Sequence, residues 1–285
     1  MQYINARSAK EALDALNQAD GSAVILAGGT DLIVDLKEGK LQPEILIDVT
    51  KAEDLKGISA ESGYLSIGAA VTLTEIAASP LVKRYFPSLA QGCGTIGSLQ
   101  IRNSATLIGN VVSAQPAGDG AMALAPLNPT FNVCSANGEH TATIGEMYAG
   151  FARSTVDHCR QLVTGVRIPL PQDGEAASFV RLELRKSLSL PMLNCAAMLH
   201  CEDKKVVWAR VTMGPVGVGP VRASAAEAYL AGKALTDKVI AQAGRLALDN
   251  ANPRSNPLRG SREYRLETLP VLVRRALDAC RTQLL

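Results

Sequence analysis

Two glycine-bearing loops limit what this chain can build. One is Ala27-Gly28-Gly29-Thr30-Asp31-Leu32, and the other runs from Thr106-Leu107-Ile108-Gly109-Asn110 through Ser113 to Asp119. Each offers bare backbone amides beside small hydroxyl side chains. Glycine lets a chain approach an oxyanion closely, and a concave run of N–H groups supplies the donors. Two such loops, about 80 residues apart, point to one extended phosphate-containing ligand held from two sides, most economically a dinucleotide. A Rossmann site is a poor match for the first loop. That site needs three glycines in G-x-G-x-x-G, whereas Leu32-Ile33 fills the third position here, although Asp48 stands where a ribose-binding acid would fall. Taken alone, the first loop reads equally well as a plain strand–turn–helix.

The 285 residues suffice for two domains, and 47% hydrophobic with 20% charged residues describes an ordinary globular core. A formal net charge of +2, with both signs mixed along the chain, offers no basic face, so nucleic acid is not an expected partner. The opening Met1–Arg7 lacks the layout of a signal peptide, and no apolar run reaches the roughly 18 residues of a spanning helix. A cytoplasmic protein without membrane insertion is expected. The six cysteines (Cys93, Cys134, Cys159, Cys195, Cys201 and Cys280) are scattered without a C-x-x-C pair, which disfavours zinc and iron–sulfur ligation and suits reduced thiols. His140, His158 and His200 have neither metal-ligand spacing nor a nucleophile nearby, so no metal site and no catalytic side chain are expected.

Ser8-Ala9-Lys10-Glu11 and Thr72-Leu73-Thr74-Glu75 have the spacing of capping boxes, the first opening a helix to about Gln18, the second a helix that Pro80 stops. Strands are expected at Ser22–Ala27, Glu44–Val49, Tyr64–Ala70, Thr130–Val133 and Gln161–Ile168. Short helices are expected at Leu32–Leu36, with Asp31 as its cap, and around Val82–Gly92. Pro169–Gly174 combines proline stiffness with turn formers and reads as a linker. Beyond it come strands at Ala177–Leu184, Met192–Cys201 and Lys205–Met213. Helices follow at Ala223–Ala231, Asp237–Leu248 and Leu269–Cys280, a strands-then-helices α+β pattern. Arg102 and Asn103 are expected to pin their loop, and Arg185-Lys186 to decorate a strand end.

Four segments carry a family resemblance: residues 27–32; Ile96-Gly97-Ser98-Leu99-Gln100-Ile101-Arg102-Asn103 running on to Asp119; Pro220-Val221-Arg222-Ala223 with the alanine-rich stretch to Gly232-Lys233; and Arg259-Gly260-Ser261-Arg262-Glu263-Tyr264-Arg265 leading to Val273-Arg274-Arg275-Ala276-Leu277. Collinear over nearly the whole chain, they resemble the FAD-binding (medium) subunits of molybdenum hydroxylases, the flavoproteins of xanthine dehydrogenase and aerobic carbon monoxide dehydrogenase. The resemblance implies an α+β fold: a two-subdomain FAD-binding domain of the vanillyl-alcohol-oxidase type over residues 1–170 (about 1–56 and 57–170), then a C-terminal α+β domain with a three-stranded sheet over 175–285.

By position, the resemblance implies that Ile25, Leu26, Ala27, Gly28, Gly29, Thr30, Asp31 and Leu32 line one side of non-covalent FAD, and Thr106, Gly109, Asn110 and Ser113 the other. Asp119 would hold a polar part of the cofactor. Ile96 and Leu190 would lie near the isoalloxazine, and Val163 and Arg181 would be further contacts, the arginine as a cation for the reduced ring. It further implies a large molybdopterin subunit and a small [2Fe–2S] subunit as partners, with NAD, oxygen or a quinone as acceptor. The chain departs from the family pattern at Ile108, where a glycine is usual, at Gln115, and at Gly120-Ala121. Ile108 must therefore point away from the phosphates. A non-catalytic assembly subunit with a decayed flavin site, and a stand-alone flavin oxidase, are the alternative readings.

Overall fold

The computed structural model describes residues 1–284. The chain opens with β1 (Gln2–Asn5), α1 (Ala9–Ala19), β2 (Ala23–Leu26), α2 (Leu32–Lys37) and β3 (Ile45–Asp48). Its three strands form a parallel sheet in the order β1-β3-β2. Ser8 caps α1 by accepting the Glu11 amide at 3.1 Å, but the Glu11 carboxylate returns to the Arg7 N–H at 2.8 Å, one residue short of a full capping box. The Ala27–Asp31 loop leaves the carboxyl end of β2, the end at which ligands bind in open parallel sheets.

Next come β4 (Ile58–Glu61), β5 (Tyr64–Gly68), and the helices α3 (Leu73–Ala78), α4 (Pro80–Tyr85), α5 (Pro87–Gly94), α6 (Leu99–Arg102), α7 (Leu107–Val112) and α8 (Asp119–Leu124). β6 (Thr130–Ser135), β7 (Gly138–Thr143), a small hairpin of β8 (Tyr148–Gly150) and β9 (Arg153–Ser154), and β10 (Gln161–Pro169) follow. The five-stranded antiparallel sheet has the order β4-β5-β10-β6-β7. Thr72 and Glu75 make the complete reciprocal capping box. The single helix expected around 82–92 is instead two, α4 and α5. Pro87 disfavours helical geometry at the residue before it, and Phe86 leaves the helix at φ −139°, ψ 69° with its ring fully buried.

The remainder holds β11 (Glu175–Leu182), β12 (Leu193–Glu202), β13 (Lys205–Gly214), β14 (Val221–Arg222), α9 (Ser224–Leu230), α10 (Asp237–Leu246) and α11 (Arg262–Leu284). The sheet is antiparallel in chain order and gains a short fourth strand, β14, that the sequence pattern did not announce. α11 begins at Arg262, well before the expected Leu269, and carries Pro270 within it.

β12 explains how the two halves join. Leu193, Cys195, Ala197 and Leu199 pack into the cluster formed with α9, α10 and α11. The intervening Ala196 and Met198 pack into the core of the N-terminal half. Strand alternation thus sends successive side chains to opposite faces, and both are buried. The whole is an α+β molecule whose C-terminal sheet lies between its own helices and the N-terminal half.

Candidate functional site: a cradle between two loops

Gly29 takes φ +68°, a conformation that favours glycine. Gly28 is required for a different reason. A Cβ there would overlap the Ser104 carbonyl oxygen and stand 2.7 Å from Ala105 Cα, so the first loop lies directly on the backbone leading to the second. Ser104 Oγ donates to the Gly28 carbonyl at 2.7 Å and closes the contact. Among the described residues, the amides of Gly28, Gly29, Thr30, Asp31 and Leu32 find no protein acceptor. An unpaired run of N–H groups is costly unless water or an anion takes it up. Ile25 and Ala27 pack inward against the core, and Leu26 is buried. Asp31 does not cap α2 as expected: it stands in helical geometry and its carboxylate makes no cap bond. Desolvation, and then neighbouring Asp35, raise its carboxyl above the ordinary value.

The second loop is anchored before α7. Ala105 accepts the Leu73 amide at 2.8 Å, and Thr106 bridges to Thr72. Thr106 is buried and caps α7 by accepting the Gly109 amide at 3.0 Å. Ser113 Oγ turns back to the Asn110 carbonyl at 3.0 Å. Asn110 Oδ1 accepts the Ala121 amide at 3.1 Å, tying α7 to the start of α8. Side chains of this loop therefore shape it, and bare backbone at exposed Gly109 is what it presents to solvent. Ile108 is only 5% exposed and belongs to the core, so the departure from glycine leaves the presented surface open.

At the other end, Arg102 donates to the carbonyls of Ile96 (2.9 Å) and Gly97 (3.2 Å), and Asn103 Oδ1 accepts from Thr74 Oγ1 at 2.6 Å, the pinning role expected of the pair. The Ile96 side chain lies over Gly120, within 3.3 Å of where a Cβ would be. Asp119 is buried and its two oxygens are already engaged, Oδ1 by Asn194 Nδ2 at 2.8 Å and Oδ2 by Arg181 at 2.9 Å. Burial pushes its carboxyl up to about 6, against the opposing pull of Arg181 and Asn194. Arg181, its side chain largely enclosed, also donates to the carbonyls of Thr95 (3.1 Å) and Ser189, and Glu183 Oε2 lies 3.2 Å from its Nε without hydrogen-bond alignment. Leu190, in the β11–β12 loop, is 56% exposed, whereas Val163 is a core residue of β10 with its side chain enclosed.

The structure thus brings residues 27–32 and 104–110 together and sets Ile96, Asp119, Arg181 and the Leu190 loop around a second locus, with Val163 below in the core. Ser104, Thr95 and Asn194 were not singled out in the sequence, where nothing separates them from other small polar residues. Asp48, the Rossmann-like acid, is occupied by the Tyr3 hydroxyl and by the Thr50 amide at 2.7 Å. His200 faces Glu202 at 3.0 Å. Among the described residues no three metal-ligating side chains converge, and no helix is long and apolar enough to cross a membrane. The geometry suits a diphosphate lying against amides, and the donor set matches the expected FAD.

The comparisons agree with that fit. Residues 1–171 match the FAD binding domain in molybdopterin dehydrogenase, and residues 178–280 the CO dehydrogenase flavoprotein C-terminal domain. The nicotinate dehydrogenase FAD-subunit of Eubacterium barkeri is 30% identical over 239 residues, 82% of this chain and 81% of its own. The xanthine dehydrogenase FAD-binding subunit of Escherichia coli O157:H7 is 26% identical, over 93% of this chain and 91% of its own. A solved structure of carbon monoxide dehydrogenase from Hydrogenophaga pseudoflava superposes with a TM-score of 0.92 at 27% identity, covering 99% of this chain and 98% of that one. The chain belongs to the molybdopterin dehydrogenase family, as one of its FAD-binding flavoprotein subunits.

Proposed function

We propose that this chain holds FAD non-covalently between its two loops and is the electron outlet of a molybdenum hydroxylase complex. In that complex a large molybdopterin subunit oxidises the substrate and a small [2Fe–2S] subunit delivers electrons to this chain. The observation that carries the reading is the unpaired amide run Gly28–Leu32, docked by Ser104 against the loop that opens at Gly109. The bound flavin would supply exchange between single electrons from the clusters and a pair for an acceptor such as NAD, oxygen or a quinone. The protein's own task would be to neutralise a diphosphate with the backbone dipoles of its two loops. Among the described residues, nothing that could activate an organic substrate lies at the site: the buried Asp119 carboxylate is paired on both oxygens, and no metal-ligating cluster is present. Kinship with the nicotinate and xanthine dehydrogenase FAD subunits and with carbon monoxide dehydrogenase supports the assembly.

Acid extraction of the purified chain followed by mass analysis is expected to release intact FAD and no FMN. Rapid mixing with purines, aldehydes and aromatic acyl thioesters is expected to leave the flavin oxidised unless partner subunits are added. Protein-attached flavin, an absence of flavin, or bleaching by any of these compounds with the chain alone would refute the reading.

A further inference from the structure

We propose that Arg181 is a positioning residue that latches the β11–β12 loop onto the segment carrying Ile96 and so holds the apolar walls of the flavin ring in place; this rests on the FAD reading above. The guanidinium stands where three stretches of chain meet. It pairs with Asp119 at the start of α8, donates to the Thr95 carbonyl next to Ile96, and donates to the Ser189 carbonyl next to Leu190. Ile96 and Leu190 are thereby each one residue from an atom held by the same side chain. A planar cation with several fixed donors can satisfy that set at once, whereas an ammonium cannot reach all of it in one geometry.

The loop has little else to hold it. Leu184, Leu188 and Leu190 are more than half exposed, and Leu188 takes φ +53°. Arg185 closes the loop only upon itself, through the carbonyls of Ser187 and Leu188. Among the described residues, the hydrogen bonds that tie it to the N-terminal half run through Arg181. The charge of Arg181 is matched by Asp119 and flanked by Glu183, which leaves the guanidinium as a structural cation and not a free one for the ring. Asn194, wholly buried on β12, steadies Asp119 from behind, so the latch reaches into the shared core.

The test compares the full-length chain with Arg181→Gln and Arg181→Lys. The exposed Arg185 and Lys186 make trypsin a direct reporter of loop opening, and flavin emission reports the walls of the ring. Arg181→Gln is expected to keep its FAD, because the amide loops are untouched, to be cut after Arg185 and Lys186 about tenfold faster, and to show a severalfold rise in flavin emission. Arg181→Lys, which retains the Asp119 pair but not both carbonyls, should fall between. Wild-type cleavage and emission in a folded Arg181→Gln would overturn the proposal. So would faster cleavage with unchanged emission, or loss of FAD from a folded variant, which would make Arg181 a direct holder of the cofactor. Should the glutamine variant fail to fold, Arg181→Lys decides on the same two readouts. A wild-type chain without flavin would refute the proposed function, while the cleavage rates would still decide whether Arg181 latches the loop.

Discussion

Ser104 and Gly28, 76 residues apart, are joined by a hydrogen bond of 2.7 Å from the serine hydroxyl to the glycine carbonyl. The bond fixes one loop of the cradle against the approach to the other, and it lies on a contact too tight for any side chain at Gly28.

Gly28→Ala should therefore fail by overpacking against the 104–105 backbone and not by clashing with phosphate. A loss of about 1–3 kcal/mol is expected together with loss of FAD, measured by denaturant titration and flavin absorbance. Gly145→Ala, where a Cβ would meet open space, is the control and should stay within about 0.5 kcal/mol with full flavin occupancy.

Ile108 sits where the first of two glycines is usual in the family pattern, yet its side chain fills the core. Restoring glycine should not tighten FAD binding. Ile108→Gly is expected to cost about 3–5 kcal/mol through the cavity and the added backbone freedom, with FAD affinity unchanged or lower. A calorimetric Tm and a flavin titration of the apoprotein would read both effects.

Thr106 contributes a hydroxyl that no carbon can replace. Thr106→Val keeps the shape but leaves the Gly109 amide without its partner, and about 1 kcal/mol of stability should go with it. Faster FAD release should accompany the change, because α7 frays at the edge of the cradle. Thr106→Ser should restore both the Tm and the release rate.

Asp119 makes stability depend on pH in an uncommon direction. Its folded carboxyl titrates near 6, above the ordinary 3.8, so the native state holds the proton more tightly than the unfolded chain. The contribution is complete below the unfolded value and is lost as pH rises through about 6, up to about 3 kcal/mol for a shift of this size. Denaturant titrations from pH 4 to 7 should show wild type losing stability relative to Asp119→Asn across that window. A difference that is flat with pH, or that grows in favour of wild type, would contradict the assignment.

Local chemistry carried much of this architecture in the sequence. The Thr72–Glu75 box, the two glycine loops and the alternating strands each declare themselves within a few residues. β1 did not, because its residues are mostly exposed and it is a strand only by parallel pairing with β3. β7, exposed along nearly its whole length, owes its form to β6 in the same way. The two glycine loops were legible because close backbone approach, as of Gly28 on Ser104, demands glycine. The buried polar cluster was not, because what Asp119 and Arg181 do depends on each other and on Asn194, three residues joined only by folding.

The strand order of the five-stranded sheet bears on how the subunit is made. β10 is the last of its strands to be synthesised, yet it lies between β5 and β6 and joins them. While a ribosome is still adding residues before Gln161, β4-β5 and β6-β7 can exist only as separate hairpins. The five-stranded sheet therefore closes only when its last-made strand threads between two hairpins already in place, a non-local pairing that comes late in folding.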